Sequence, residues 1–293
     1  YLVQDPKTAA QSFDNGKVDF AEINSTLVDK YKGKKTFKTI SEGYLAYLQC
    51  NFKQDTTANK NLRYALSYAI DRKDLSDNIL KDGSQPATGF VPSKLCTSPS
   101  GKDFREESGK YVSYDLKKAQ EYLDAAKKEL GKDTISVDLL YGTDESPMDT
   151  FAEYIQGSWT KLKGLKVNMV ATVKKDRVYN REANGNFQVV CTRWAPDYAD
   201  PTTFLNLLTT DNTNNYGKYV NAQYDSLIKQ SQTESDLNKR WNLLLQAEKI
   251  MMEDLPNIPV VETGSAALQA TNVKNLVHQP VGTPYIFKYV SLK

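Results

Sequence analysis

The chain has 293 residues, 40% hydrophobic and 25% charged, a composition that excludes a disordered chain and allows one large domain or two. Its 38 basic and 36 acidic residues leave a net charge of +2 with no dominant basic block, which excludes nucleic acid as the main partner. No apolar run approaches the roughly 20 residues that a bilayer-spanning helix needs.

Residues 8–20 predict a short helix, the turn Asp14-Asn15-Gly16 and a strand starting at Val18. Tyr44–Asn51 reads as a buried strand. From Asn61, the apolar residues Leu62, Ala65, Leu66, Ala69 and Ile70 mark one helix face. Asp71 is expected to cap a second short helix holding Leu75, Ile79 and Leu80, with Arg72 and Lys73 as solvated charges. Residues 84–112 carry Pro, Gly and Ser and predict a loop-rich excursion.

A βαβ series follows. Asp115 caps a helix whose face is Leu116, Ala119, Tyr122, Leu123, Ala126 and Leu130, and a strand is expected at Ile135–Tyr141. The next helix uses Met148, Phe151, Ala152, Ile155, Trp159 and Leu162, and the next strand is Leu165–Val173. A short helix near Arg177–Ala183 leads to a strand at Phe187–Thr192. Strands alternating with helices place the chain in the α/β class with parallel strand pairs. After residue 208 come a polar loop, two helices and a strand at Ile258–Glu262. Further strands are expected near Ala266–Ala270 and Tyr285–Ser291.

The stretch Arg193-Trp194-Ala195-Pro196-Asp197-Tyr198-Ala199-Asp200-Pro201 concentrates the functional signal. It sets an aromatic plate and a carboxylate at a strand end, where open α/β sheets place ligands. Asp200, followed by Pro201 and an apolar run, reads as a helix N-cap. Asp197 has no helix directly behind it; it either stabilises a turn or meets a ligand. Trp194 is either core or site. Asn51, at the end of a strand, either bonds a ligand backbone or makes a turn. Trp159 and Trp241 lie on apolar helix faces and are assigned to the core.

Catalytic motifs are absent from the sequence. The single histidine, His278, lies in a turn-like context with no nucleophile elbow nearby. There is no phosphate loop and no metal-ligand spacing, so neither cofactor nor metal is expected. The cysteines Cys50, Cys96 and Cys191 are too dispersed for a zinc or redox motif. A two-carboxylate hydrolase using Asp197 and a remote Glu is the rival from another class.

Several segments together resemble the solute-binding proteins of oligopeptide ABC transporters, extracellular solute-binding protein family 5. Asn61-Leu62-Arg63-Tyr64-Ala65-Leu66-Ser67-Tyr68-Ala69-Ile70-Asp71-Arg72 is similar to that family's "R-x-A-l-x-x-A-i-D-R" helix. Gly83 through Gly89-Phe90-Val91-Pro92 resembles the loop after it. Trp194 through Leu205 is similar to "W-x-x-D-Y-x-D-P-x-x-F-L". Arg240, Ala247-Glu248 and Pro256-Asn257-Ile258-Pro259-Val260 resemble its ending. The motifs are in the right order and run over essentially the whole chain.

The resemblance implies a periplasmic-binding-protein-like lobe of class II type, with a mixed sheet and flanking helices, plus part of a second lobe. Residues 1–44 would end the first section of lobe I, residues 45–255 would form the peptide-binding lobe II, and residues 256–293 would return to lobe I. Hinge crossings are expected near 44–51 and 255–262. Family members are longer and carry a signal peptide and often a lipoprotein cysteine, so this chain is expected to be a piece without that anchor. The implied role is capture of an extended oligopeptide outside the cytoplasmic membrane and delivery to membrane permease subunits, by a monomer rather than an enzyme. A pheromone, a cell-wall peptide or a metal chelate is the alternative cargo.

By the same resemblance, Asp197 would pair with the peptide α-ammonium, Trp194 would wall the adjacent pocket, and the Arg193–Ala195 backbone would bond the peptide. Tyr198 and Asn51 complete the expected ligand-binding set. Some members carry an arginine three residues before the tryptophan to clamp the carboxylate of short peptides; Cys191 stands there in this chain.

Overall fold

The computed structural model describes residue 3, residues 5–279 and residues 281–293. The chain opens with helix α1 (Pro6–Asp14), strand β1 (Phe20–Ile23), helix α2 (Ser25–Tyr31) and the long strand β2 (Phe37–Cys50). Helices α3 (Asp55–Ala58), α4 (Lys60–Tyr68) and α5 (Arg72–Asp74) follow, then a π-helical turn at Leu75–Leu80 and strand β3 (Gln85–Pro86). The loop-rich excursion contains one short helix, α6 (Phe104–Ser108).

The expected βαβ series is present. It comprises α7 (Leu116–Leu130), β4 (Ile135–Gly142), α8 (Met148–Trp159), β5 (Leu165–Thr172), α9 (Lys174–Asp176) and β6 (Val189–Trp194), with a π-helical turn at Arg177–Glu182 after α9. Local signals account for it: Asp115 accepts from Lys118 N, and Gly131 ends α7 with φ 64°. The chain closes with α10 (Thr202–Leu205), α11 (Ala222–Thr233), α12 (Leu237–Asp254), β7 (Asn257–Gln269) and four two-residue strands.

Strand order is β1-β7-β2-β6-β4-β5, with β3 added on β7. β4 pairs parallel with both β5 and β6, and the other pairs are antiparallel, so the sheet is mixed. The main core lies between this sheet and α4, α7, α8 and α12; it includes the fully buried Leu66, Trp159 and Leu244. Trp159 donates its indole N–H to Leu66 O at 2.9 Å, and Trp241 donates to Glu107, so both sit in the core with their polar atoms satisfied.

The structure revises three expectations. The strands anticipated at Ile258–Glu262 and Ala266–Ala270 are one strand, β7, because both halves pair with β2. The register shifts between Ser41 and Leu45, where Gly43 has φ 74°. There Gly264 passes so close to the Gly83–Ser84 backbone, just before β3, that an added Cβ would stand 2.5 Å from Gly83 C. Arg72 is buried rather than solvated; it donates to Pro259 O at 2.8 Å and also to Ser67 O, Ile70 O and Ser67 Oγ. The C-terminal strand splits: Tyr285–Ile286 pairs with Val277–His278, and Ser291–Leu292 pairs with Val273–Lys274.

Candidate functional site

Strand β6 positions the candidate site. Its ladder with β2 runs from Val189 to Trp194, with Arg193 opposite Ala46 and Trp194 opposite Leu45. Its ladder with β4 covers only Val189 and Val190. Beyond Val190, β6 therefore has β2 as its one strand partner among the described residues, and its second edge carries no paired strand there.

The chain leaves β6 through Ala195 and the buried Pro196 and turns at Asp197, Tyr198 and Ala199, which are exposed. Asp197 donates its backbone N–H to Thr203 Oγ1 at 2.9 Å, while its carboxylate has no hydrogen-bond partner among the described residues. Tyr198 is 45% exposed and accepts from Thr202 Oγ1 at 3.3 Å. The turn is held from behind by Asp200, which accepts from Thr202 N at 3.0 Å and receives both Arg240 terminal nitrogens at 2.7 and 2.9 Å. Burial alone would raise the Asp200 carboxyl, but the Arg240 and Thr202 hydrogen bonds outweigh it and hold it below its ordinary range. Asp200 thus bonds the first N–H of α10 from one residue before the N-cap position, which Pro201 holds rather than Asp200, and the ion pair is an addition.

Trp194 is half-buried against the core, and its indole N–H meets no acceptor among the described residues. Arg193 extends its guanidinium over the Tyr44 ring, 5.2 Å from the centroid. Trp194, Arg193, Ala195, Asp197 and Tyr198 are thus grouped at one strand end.

Asn51 does not join them. It is fully buried, and its amide donates to Gly185 O at 3.0 Å and Phe187 O at 2.9 Å while its oxygen accepts from Lys53 N at 2.9 Å. Both donors and the carbonyl are occupied by backbone, so Asn51 is a structural clip rather than a ligand contact. His278 packs edge-on against Tyr285, and burial lowers its pKa. Among the described residues no group of three or more His, Cys, Asp or Glu side chains is set to hold a metal ion.

The other sequence motifs form the frame of the site. Glu248, fully buried in α12, accepts from Phe90 N and Val91 N at 2.9 Å each, from both Arg105 terminal nitrogens at 2.6 and 2.7 Å, and from Ser108 Oγ. Arg63 donates to Asp254 O, Thr57 O and Ala58 O.

Sequence reasoning missed a second group beside β6. Tyr44, Tyr47, Glu145, Arg177, Glu182, Thr192, Trp194 and Tyr216 help line a cavity of about 290 Å³. Arg177 and Glu182 meet because they open and close the π-helical turn. An α-helix would set residues five apart roughly 140° away from each other around its axis. The detectable signal was the acid-base spacing itself, which an α-helical reading hides.

The mixed sheet, with its open strand edge and an exposed acid at the end of that strand, is a periplasmic-binding-protein-like fold of the kind found in oligopeptide binders. The chain belongs to the bacterial extracellular solute-binding proteins, family 5, whose middle-region model matches residues 1–216. It is 31% identical over 293 residues to the dipeptide-binding protein DppE of Bacillus subtilis, covering 100% of this chain and 52% of that protein. Listeria monocytogenes OppA bound to peptide superposes with a TM-score of 0.85 at 33% identity, over 99% of this chain and 57% of that one. The pheromone receptor PrgZ, solved to show its mode of peptide binding, gives 0.85 at 32% identity over the same shares. The chain spans about half the length of the curated relatives it matches.

Proposed function

We propose that this chain supplies the peptide-holding surface of the substrate-binding component of a peptide ABC transporter. An extended oligopeptide adds to the open edge of β6 through the Arg193–Ala195 backbone. Trp194 walls the adjoining space, Tyr198 flanks it, and Asp197 receives the peptide α-ammonium. The observation that carries this reading is the Asp197 carboxylate, exposed and without a hydrogen-bond partner among the described residues, at the end of a strand with a free edge. Residues 45–255 make one lobe, and residues 1–44 and 256–293 contribute to the other. The protein works as a monomer outside the cytoplasmic membrane, at the cell surface as a lipoprotein or in the periplasm, and passes its cargo to permease subunits. Its role is binding, not catalysis.

Calorimetric titration of the protein with pentaalanine tests the assignment. Asp197→Ala is expected to weaken binding about tenfold or more, the scale of one charge-assisted hydrogen bond. Unchanged affinity would remove Asp197 from the site. A pheromone peptide is the second reading, favoured by the likeness to PrgZ. Mass spectrometry of ligand retained through purification separates the two.

A further inference from the structure

The cavity beside β6 has an electrostatic feature that the proposed backbone contacts do not use. Glu145, Arg177 and Glu182 are 6%, 3% and 4% exposed. Arg177 serves both acids: its Nε lies 2.9 Å from Glu145 Oε2, its Nη1 donates to Glu182, and Nη1 also reaches Thr192 Oγ1 at 3.1 Å. Two buried carboxylates thus share one buried guanidinium; the second cation of the cluster, Lys174, lies on the Glu145 side, so Glu182 relies on the shared Arg177 alone. Burying an unpaired charge is costly, and a group so placed either takes up a proton or acquires a cation.

The neighbouring cations do not close the gap at Glu182. Lys174 approaches Glu145 at 3.4 Å, and its side chain is 60% exposed, where an ion pair contributes little. Arg193 lies over Tyr44. Glu182 has Arg177 as its one hydrogen-bonding partner among the described residues. Burial pushes its carboxyl up to about 7 in spite of Arg177, as expected of an acid short of positive charge. Lys174, Arg177 and Arg193 also line the cavity, engaged respectively with Glu145, with both acids and with the Tyr44 ring, and the rest of the wall is largely aromatic. Tyr44, Tyr47, Tyr216 and Trp194 present aromatic surface. The Tyr47 hydroxyl, on a residue 6% exposed, makes no hydrogen bond among the described residues.

We infer that this cavity takes a cationic side chain of the bound peptide, lysine or arginine, with Glu182 as its counter-ion. The inference rests on the peptide-binding reading above and adds a side-chain preference to it. Thr192 and Trp194 line the cavity and also belong to the open strand, so a side chain projecting from a peptide on that edge is close enough to enter.

The test is calorimetric titration of the protein with pentaalanine and with pentapeptides in which one lysine replaces each alanine in turn. Norleucine and glutamate are placed at the same positions as uncharged and opposite-charge counterparts. At one position lysine should bind about tenfold tighter than norleucine, and glutamate weaker than either. In Glu182→Gln the lysine-to-norleucine ratio at that position should fall toward one. Binding of pentaalanine with no position preferring lysine overturns the inference and leaves the peptide reading standing. A lysine preference that survives unchanged in a folded Glu182→Gln protein also overturns it. If that variant fails to fold, the wild-type comparison decides: equal affinity for lysine and glutamate at every position refutes the inference. Failure of every peptide to bind removes the peptide reading and the inference together.

Discussion

Asp200 and Arg240 lie 40 positions apart and meet through two parallel hydrogen bonds of 2.7 and 2.9 Å. This ion pair fastens the turn that carries Asp197 to helix α12. The side chains are 29% and 25% exposed, so solvent screens the pair only in part. Arg240→Ala is expected to lower stability by about 1–2 kcal/mol, read as a shift in the denaturant midpoint. It should also weaken peptide binding, because the Asp197 turn loses its anchor. The pair has a pH signature. The folded Asp200 carboxyl is held below its ordinary value of 3.8, so its contribution is fully present above that value and is lost as pH falls through the folded pKa. The acid limb of the stability profile should flatten in Arg240→Ala.

Glu248 satisfies two backbone N–H groups, a guanidinium and a hydroxyl from a fully buried position. Replacing it with Gln leaves Arg105 charged and unpaired in the interior. The expected cost is about 3–5 kcal/mol, measured by guanidinium chloride unfolding. A loss under 1 kcal/mol would contradict the buried network.

Glu182 has the opposite pH sign. Its carboxyl rises from an ordinary 4.5 to about 7, so the folded state holds the proton more tightly than the unfolded chain. Its influence on stability is most favourable below about 4.5 and is lost as pH rises toward 7. Urea midpoints taken between pH 4.5 and 7 should fall with pH in the wild type and fall less in Glu182→Gln. Parallel profiles would show that Glu182 titrates normally.

Asn51 offers a control on the site assignment. Asn51→Asp exchanges two donors facing carbonyl oxygens for a buried carboxylate. It should cost about 2–4 kcal/mol of stability, read by thermal or chemical unfolding. The folded fraction should keep the wild-type peptide affinity.

Much of the fold was legible in the sequence. Helix α7 carries its cap, its periodic face and its terminal glycine within the contiguous stretch from Asp115 to Gly131, and it runs over the residues the pattern marks. Helix α2 was not legible: it buries only Val28 and Tyr31, too few to set a period. Strand β7 was cut in two because Thr263-Gly264-Ser265 reads as a turn, whereas pairing with Ser41 of β2 and close contact with the Gly83–Ser84 backbone keep Gly264 within a continuous strand. Asp197 and Trp194 stand at one strand end in the structure as in the sequence, because neighbouring residues of one segment remain together in space. Arg72 and Asn51 were misread because a polar residue at an element end looks the same whether its partner is water or a distant carbonyl. Glu145, Arg177 and Glu182 escaped notice because their meeting depends on a π turn and on a contact across 32 residues.

The division of labour around Glu248 bears on how such a protein diversifies. Glu248, Arg105, Asp200 and Arg240 direct their charges at one another and at the backbone, whereas Asp197 and Tyr198 are turned outward. Replacing an outward residue breaks no bond among these four, so the surface at the strand end can vary while the scaffold stays intact. On the proposed peptide-binding role, a few side chains at the strand end could be exchanged with little risk of losing a folded chain.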